Sequence, residues 1–265
     1  MQIEEVISQI TAVDADCAAK AQERFDNLIK PVGSLAKLES MITQYAAITG
    51  RYEKDKLDYP KRALLVWGNI THAEQAEKIM LGKWPVNILA AETGAQAVPL
   101  LVMADNETDA MAEGAILVKE HVAKDKLQML GFGCLEDKDN LVIAAMTGAI
   151  LQAAALKVPV MLDGAATCRA LLKAMQYNTL VKEYCFAGHV SLENDMEDLL
   201  AELQLSAPLR LNITDGSGEG AAIAFTLFDA GLKAYKEMET FAEAGVHVEM
   251  KEFSHAEQVK GEQRK

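Results

Sequence analysis

The chain lacks long apolar runs and has no excess of positive charge. Its longest apolar runs, such as residues 221–228, are much shorter than the roughly 20 residues that a membrane-spanning helix needs. The N-terminus is acidic and shows no basic or apolar leader region, so we expect a cytoplasmic protein with no membrane association. The 26 Lys and Arg residues stand against 39 Asp and Glu residues, a formal net charge of -13, which argues against a nucleic-acid partner.

Spacings typical of metal-binding cysteines and histidines are also absent. Cys17, Cys134, Cys168 and Cys185 form neither a Cys-X-X-Cys pair nor a zinc-finger pattern, and no second histidine lies at ligand spacing from His189. We therefore expect reduced, buried thiols that act as small apolar groups. The sequence predicts no metal site and no cofactor.

What is present is a regular alternation of short apolar runs with longer helical segments. Half of the residues are apolar, which is the composition of a globular protein. Apolar strands that are separated by helices predict an α/β fold, in which a parallel sheet is covered by helices on both faces. The predicted strands are residues 63–67, 98–103, 127–131, 158–162, 184–187 and 209–213.

The two ends of the chain are predicted to be helical. Residues 18–28 form one predicted helix, and Ser34 is a candidate cap for a second. A polar segment, 51–62, then reads as a linker into the alternating region. A last long helix over 221–244 would return to the N-terminal helices, and the charged tail from Val248 is expected to fray.

The strongest candidate site is a glycine-rich loop before the last predicted helix. In a parallel sheet, ligands bind beyond the carboxyl ends of the strands. Gly216, Gly218 and Gly220 allow a tight approach of the backbone, but the flanking Asp215 and Glu219 would oppose a phosphate. The pattern suits a carboxylate that takes a proton. An ordinary turn, in which Glu219 only interacts with the helix dipole, fits it equally well.

Two further strand ends carry candidate residues. Asp163 and Gly164 follow an apolar strand, and Asp163 either caps the next helix or contacts a ligand. His189 also follows a strand, where a structural hydrogen bond is a commoner role than catalysis. Ser191 is a plausible cap for the helix after it.

Several segments, in order along nearly the whole chain, resemble one known family. They are 24–35 (RFDNLIKPVGSL), 86–89 (VNIL), 143–149 (IAAMTGA), 158–164 (VPVMLDG), 188–193 (GHVSLE), 216–222 (GSGEGAA) and 240–246 (TFAEAGV). They are similar to motifs of the CobT family, the nicotinate-nucleotide–dimethylbenzimidazole phosphoribosyltransferases of cobalamin synthesis.

The resemblance implies a Rossmann-like parallel sheet over residues 56–234 beside a small helical domain from residues 1–55 and 235–265. It also implies a dimer with sites at the subunit interface, where an aromatic nucleophile displaces nicotinate from nicotinate mononucleotide. A carboxylate would remove the nucleophile's proton, a role that falls to Glu219. The residues that the resemblance places around the ribotide are Asp163, Gly164, His189, Ser191, Gly216 and Gly218.

The chain departs from the family pattern in three places. It is shorter than family members, and residues 68–71 (GNIT) stand where the family reads GDHGV. The phosphate-binding segment GEMGIGNTT is reduced to residues 133–138, which include two acidic side chains. The general-base glutamate falls on Ser217, while Glu219 occupies a serine position. Loss of the glycine loop predicts weakened phosphate binding.

Three functions remain open on these residues. The chain is a phosphoribosyltransferase in its own right, a subunit that works with a catalytic homologue, or a non-enzymatic binder of the aromatic base or its riboside. A related heteromeric enzyme that activates phenol or p-cresol is built from two homologous chains. The missing phosphate residues favour the subunit. The predicted partners are a nucleotide, an aromatic base and a CobT-like chain in a homo- or heterodimer.

Overall fold

The computed structural model describes residues 2–135, 138–193, 195–214 and 216–246, and all elements below lie within these ranges. The strands are β1 (Arg62–Asn69), β2 (Gln96–Val102), β3 (Met129–Cys134), β4 (Val160–Leu162) and β5 (Cys185–Ala187). The helices are α1 (Ile3–Ser8), α2 (Ala15–Asp26), α3 (Lys37–Thr49), α4 (Ala73–Met80), α5 (Pro85–Ala91), α6 (Glu107–Asp125), α7 (Asn140–Ala155), α8 (Gly164–Met175), α9 (Met196–Leu203) and α10 (Glu219–Glu237). Short 3-10 turns lie at Ile70–His72 and Thr179–Tyr184.

The five strands form one parallel sheet in the order β2-β1-β3-β4-β5. Strands β3, β4 and β5 are buried along their whole length, as a sheet covered on both faces requires. Helices α5 and α10 pack on one face, where the Leu64 side chain of β1 lies against Gly131 and Gly218. The predicted α/β fold with a parallel sheet is confirmed.

The predicted strand at 209–213 is wrong. Its only β-bridge among the described residues is the one between His189 and Leu209. The next N–H in line, that of Leu211, donates to the His189 imidazole instead of a backbone carbonyl. Asn212 then has a positive φ of 57°, which turns the chain away from the extended conformation.

Side-chain caps decide where several helices begin. Asp14, Asn106 and Asp139 each accept hydrogen bonds from N–H groups in the first turns of α2, α6 and α7. The predicted cap at Ser34 is wrong, because α3 begins only at Lys37. The Glu39 carboxylate reaches back to the Leu35 N–H and takes the place of an N-terminal cap.

The last helix is shorter than predicted, since α10 ends at Glu237 and not at 244. Met238 is extended, and Thr240 pairs with Leu28 across an antiparallel bridge. Arg24 of α2 holds this turn by donating to the carbonyls of Tyr235 and Met238. The chain therefore returns to the N-terminal helices, as expected.

One continuous cluster of buried apolar side chains runs through the sheet and the N-terminal helices. The four cysteine side chains are buried, as the sequence analysis predicted. The division into a helical domain of residues 1–55 plus 235–265 and a sheet domain of 56–234 stays a prediction. The tail from Val248 lies outside the described residues. None of the helices in the described ranges is both long and apolar enough to cross a membrane.

Candidate active site

A buried serine–glutamate pair lies at the start of α10. Gly218, with a φ of 114°, turns the chain into the helix, and Ser217 and Glu219 flank it. The Ser217 hydroxyl lies 2.8 Å from both carboxylate oxygens of Glu219 and donates to them. Ser217 is fully buried and Glu219 is 5% exposed. Glu219 is the first residue of α10, at the positive end of the helix dipole.

Asp163 follows β4 and ties α10 to the sheet. Its Oδ2 accepts the N–H of Gly220 at 2.8 Å, whereas it makes no side-chain cap to its own helix α8. Burial, with a smaller contribution from the charges of Glu219 and Glu193, raises the pKa of Asp163 to about 7. Near neutral pH this carboxyl group therefore exchanges a proton while fully buried.

His189 follows β5 and faces Asp163. Its Nε2 accepts the N–H of Leu211 at 3.0 Å, which assigns the ring proton of the neutral imidazole to Nδ1. Nδ1 lies 3.8 Å from Asp163 Oδ1, beyond hydrogen-bond distance, and neither atom has another partner among the described residues. Burial lowers the pKa of His189, so the imidazole is neutral.

Glu193, and not Asp163, caps the N-terminus of α8. Its carboxylate accepts the N–H of Ala165 at 2.7 Å, in the first turn of α8, and also the Ser191 hydroxyl. The predicted role of Ser191 as a helix cap is wrong, because the following helix, α9, begins only at Met196. Glu193 was missed as a site residue, although it closes the GHVSLE segment.

The glycines of the site permit very close packing of these groups. A Cβ atom at Gly220 would lie 2.4 Å from Asp163 Oδ1 and 2.5 Å from His189 Cβ. One at Gly164 would lie 3.0 Å from Gly216 Cα. All predicted site residues therefore meet in one cluster at the carboxyl edge of the sheet. Asp215 lies outside the described residues.

The backbone donors at the end of β3 are already occupied. The Cys134 N–H donates to the carbonyl of Gly216 at 2.7 Å, and the Leu135 N–H donates to that of Trp67 at the same distance. A Cβ atom at Gly133 would lie 2.3 Å from the Ser217 carbonyl carbon, so the glycine-rich loop rests directly on β3.

The N-terminus of α7 is occupied as well. The Asp139 carboxylate accepts the N–H groups of Leu141 and Val142 and the side-chain amide of Asn69, the last at 2.6 Å. A carboxylate of the chain thus fills a place where a helix N-terminus can bind a phosphate. The acidic residues Glu136 and Asp137 lie outside the described part of the chain.

Trp84 was not predicted as a site residue. It immediately precedes α5, and its indole N–H donates to the Ser217 hydroxyl oxygen at 3.4 Å. The first turn of α5 packs on the loop, since a Cβ atom at Gly218 would lie 3.2 Å from Val86 Cγ2. The sequence signal is modest: a lone tryptophan before Pro85, which opens a helix.

The cluster combines buried carboxylates with a neutral imidazole and a hydroxyl, which is acid–base chemistry. Among the described residues no three His, Cys, Asp or Glu side chains are grouped to hold a metal ion.

A family model described as phosphoribosyltransferase matches residues 10–128 and 113–246. The chain belongs to this phosphoribosyltransferase family.

The curated relatives show which phosphoribosyltransferases this chain resembles. The nicotinate-nucleotide–dimethylbenzimidazole phosphoribosyltransferase of Ruminiclostridium cellulolyticum is 26% identical, over 93% of this chain and 98% of its own length. The enzyme of the same name from Geotalea uraniireducens is also 26% identical, over 92% and 98%. The first alignment extends over 345 positions, more than the 265 residues of the chain, so this relative carries segments that the chain lacks.

Solved structures agree on the fold. The crystal structure of CobT from Thermus thermophilus superposes with a TM-score of 0.77, covering 88% of this chain and 99% of that one, at 19% identity. At this identity the likeness concerns the fold alone. The family model and the curated relatives confirm the predicted membership of the CobT family of phosphoribosyltransferases.

Proposed function

We propose that the chain is a subunit of an enzyme that transfers phosphoribose from nicotinate mononucleotide to an aromatic base, as in the synthesis of the cobamide nucleotide loop. It works together with a catalytic homologue. The observation that carries the proposal is the buried Ser217–Glu219 pair at the carboxyl edge of the sheet. The names of the curated relatives supply the substrate class.

Glu219 acts as the general base in this proposal. The lone pair of the aromatic nucleophile forms a bond to the anomeric carbon of the ribose, and the bond from that carbon to nicotinate breaks with its electron pair. The N–H or O–H proton of the nucleophile passes to the Glu219 carboxylate. The charge of the carboxylate also favours the positive character that develops on the ribose.

Asp163 and His189 position the backbone around Glu219 and do not take part in the proton transfer themselves. Asp163 holds the Gly220 N–H next to Glu219, and His189 holds the segment that contains Leu211. Both side chains are fully buried. We assign them to the positioning of the ribotide site, together with Gly164, Ser191, Gly216 and Gly218.

The occupied donors at the end of β3 and at α7 support a role as a subunit. The N–H groups of Cys134, Leu135, Leu141 and Val142 all serve acceptors within the chain. A phosphate bound there would have to displace these contacts and approach the Asp139 carboxylate, at an electrostatic cost. A homologous partner would supply the missing phosphate contacts.

The direct test is an assay of nicotinate release from nicotinate mononucleotide with dimethylbenzimidazole or phenol. We expect turnover when the chain is mixed with a full-length homologue and little turnover by the chain alone. Vigorous transfer by the isolated chain would refute the subunit role.

The role of Glu219 is tested in the same mixture. Glu219→Gln removes the proton acceptor and should lower turnover by about 100-fold or more. Glu237→Gln, at the exposed far end of α10, is the matched control and should leave turnover unchanged. Equal rates for the two variants would remove Glu219 from the mechanism.

The second candidate function is binding of the aromatic base or its riboside without catalysis. The occupied N–H groups at the end of β3 favour it as much as they favour the subunit role. Calorimetry with the base, its riboside and nicotinate mononucleotide separates the two. Tight binding of the base, with no transfer even beside the homologue, would identify a binder.

A further inference from the structure

Trp84 is partly exposed and lies next to the buried Ser217–Glu219 pair. Ser217 is fully buried and Glu219 is 5% exposed, so an external nucleophile reaches the carboxylate only if a neighbouring group moves. The indole N–H of Trp84 donates to Ser217 at 3.4 Å, and Ser217 in turn donates to Glu219. The first of these bonds is long and therefore weak.

The backbone of Trp84 is held firmly, so any movement belongs to its side chain. Its N–H donates to the side-chain oxygen of Asn87 at 3.1 Å. The Asn87 amide donates to the carbonyl of Ile79 at the end of α4, at 3.0 Å. This pair of hydrogen bonds joins α4 to α5 and fixes the Trp84 backbone. The indole beside Ser217 can then move only by a change of side-chain conformation.

The surroundings of the indole suit a flat, uncharged ligand. The Lys78 ammonium group lies 5.8 Å from the centre of the ring, where a second cation would be repelled. Aromatic rings stack on tryptophan with an energy that aliphatic groups of equal size do not obtain. A ligand stacked on this ring would lie near the Ser217 hydroxyl, to which the indole N–H donates.

We propose that Trp84 determines acceptor specificity: its indole leaves Ser217 and stacks on a planar aromatic acceptor whose N–H or O–H then reaches Glu219. The proposal rests on the proposed function, because it takes Glu219 as the base. It assigns the site to neutral aromatic rings with an acidic N–H or O–H. Aliphatic alcohols and amines are excluded.

Tryptophan fluorescence tests the stacking without any turnover. The chain has two tryptophans, and Trp67 is fully buried in β1 against Phe132. Titration of the wild-type chain with dimethylbenzimidazole or phenol should change the emission in a saturable way. Trp84→Phe, which keeps only the Trp67 signal, should show no such change. Cyclohexanol, of similar size to phenol, should leave both proteins unaffected.

Calorimetry measures the contribution to affinity. Trp84→Ala should weaken binding of the aromatic base about tenfold, while Trp84→Phe, which retains a ring, should stay within about threefold of the wild type. Trp84→Phe also shows whether loss of the ring or loss of folding explains the alanine variant.

Three results would overturn the proposal: wild-type affinity in folded Trp84→Ala, identical emission changes in the wild type and Trp84→Phe, or no binding of the base by the chain either alone or mixed with its homologue. The test is distinct from that of the proposed function. Saturable quenching through Trp84 without transfer would support the stacking of the aromatic base on Trp84 but would remove both the enzymatic role and the role of Trp84 in acceptor specificity.

Discussion

The pKa of Asp163 is raised to near neutrality mainly by burial, with a smaller contribution from the charges of Glu219 and Glu193. The side chain is fully buried, and the hydrogen bonds from backbone N–H groups, chiefly that of Gly220, lower its pKa less than desolvation raises it. The groups that face it are the carboxylates of Glu219 and Glu193 and the neutral imidazole of His189. None of them supplies a positive charge.

The pH dependence of stability follows from this shift. The pKa of Asp163 rises from 3.8 to about 7 on folding, so its proton stabilises the native state. That contribution is complete below pH 3.8 and is lost as the pH rises through 7. Asp163→Asn keeps an oxygen for the Gly220 N–H but cannot ionise. The wild type should lose unfolding free energy on the order of a few kcal/mol between acidic and neutral pH, and Asp163→Asn should not show this loss.

Urea unfolding at pH 5 and pH 8 measures this effect (the two values are chosen to bracket the pKa of about 7). Asp16→Asn, at an exposed position on α2, is the control and should follow the wild type at both values. If Asp163→Asn loses as much stability as the wild type on going to pH 8, the buried proton is not on Asp163.

At the scale of elements, the site depends on how closely a loop rests on a strand. The loop before α10 touches the end of β3 through backbone atoms, with Gly133 against Ser217 and Gly218. Backbone cannot change rotamer to make room. The position of Glu219 is therefore set by the absence of a side chain on β3.

Gly133→Ala should displace this loop. The new Cβ atom would lie 2.3 Å from the Ser217 carbonyl carbon, and we expect a loss of about 3 kcal/mol or more in unfolding free energy. Gly68→Ala, near the same edge on β1, is the matched control. Its Cβ atom would meet side-chain atoms at 3.3 Å, so the loss should be much smaller. Chemical denaturation compares the two, and equal stabilities would show that the loop moves at no cost.

At the scale of the whole molecule, the proposed function implies a nucleotide site that this chain alone does not complete. The chain keeps the sheet and the acid–base cluster but uses the N–H groups of β3 and α7 internally. Exposed apolar side chains also lie on and beside α4, α5 and the edge strand β2, namely Ile70, Met80, Leu81, Ile88 and Met103. Assembly with a homologous chain would both complete the site and cover apolar surface.

Light scattering after size-exclusion chromatography tests the assembly. We expect a stable heterodimer when the chain is mixed with a full-length homologue, because association would cover the exposed apolar side chains on and beside α4, α5 and β2. An unrelated acidic protein of similar size is the control and should elute separately. Failure of the two homologous chains to associate at any concentration that supports transfer would contradict the prediction.

Most elements of the fold were predictable because they have strong local signals. The apolar runs around Leu65 and Leu162 became strands, and Asp139 marks the start of α7 by a short-range hydrogen bond. The prediction of a strand at 209–213 was wrong, although the apolar residues of this run are typical of a strand. The Leu211 N–H donates to the side chain of His189, 22 positions away, and not to a neighbouring strand. Long-range partners of this kind leave no local pattern.

The order of apolar and glycine residues along the chain was enough, by itself, to determine a parallel sheet and a glycine-rich loop at its carboxyl edge. Both depend on periodicity and on backbone freedom, which are local properties. The tertiary structure decided which polar group each carboxylate meets. Asp163 serves α10 instead of α8, Glu193 caps α8, and Trp84 reaches Ser217 from 133 positions away. These pairings are set by how β3, β4 and the two helices pack, because burial and distance arise only when the elements come together.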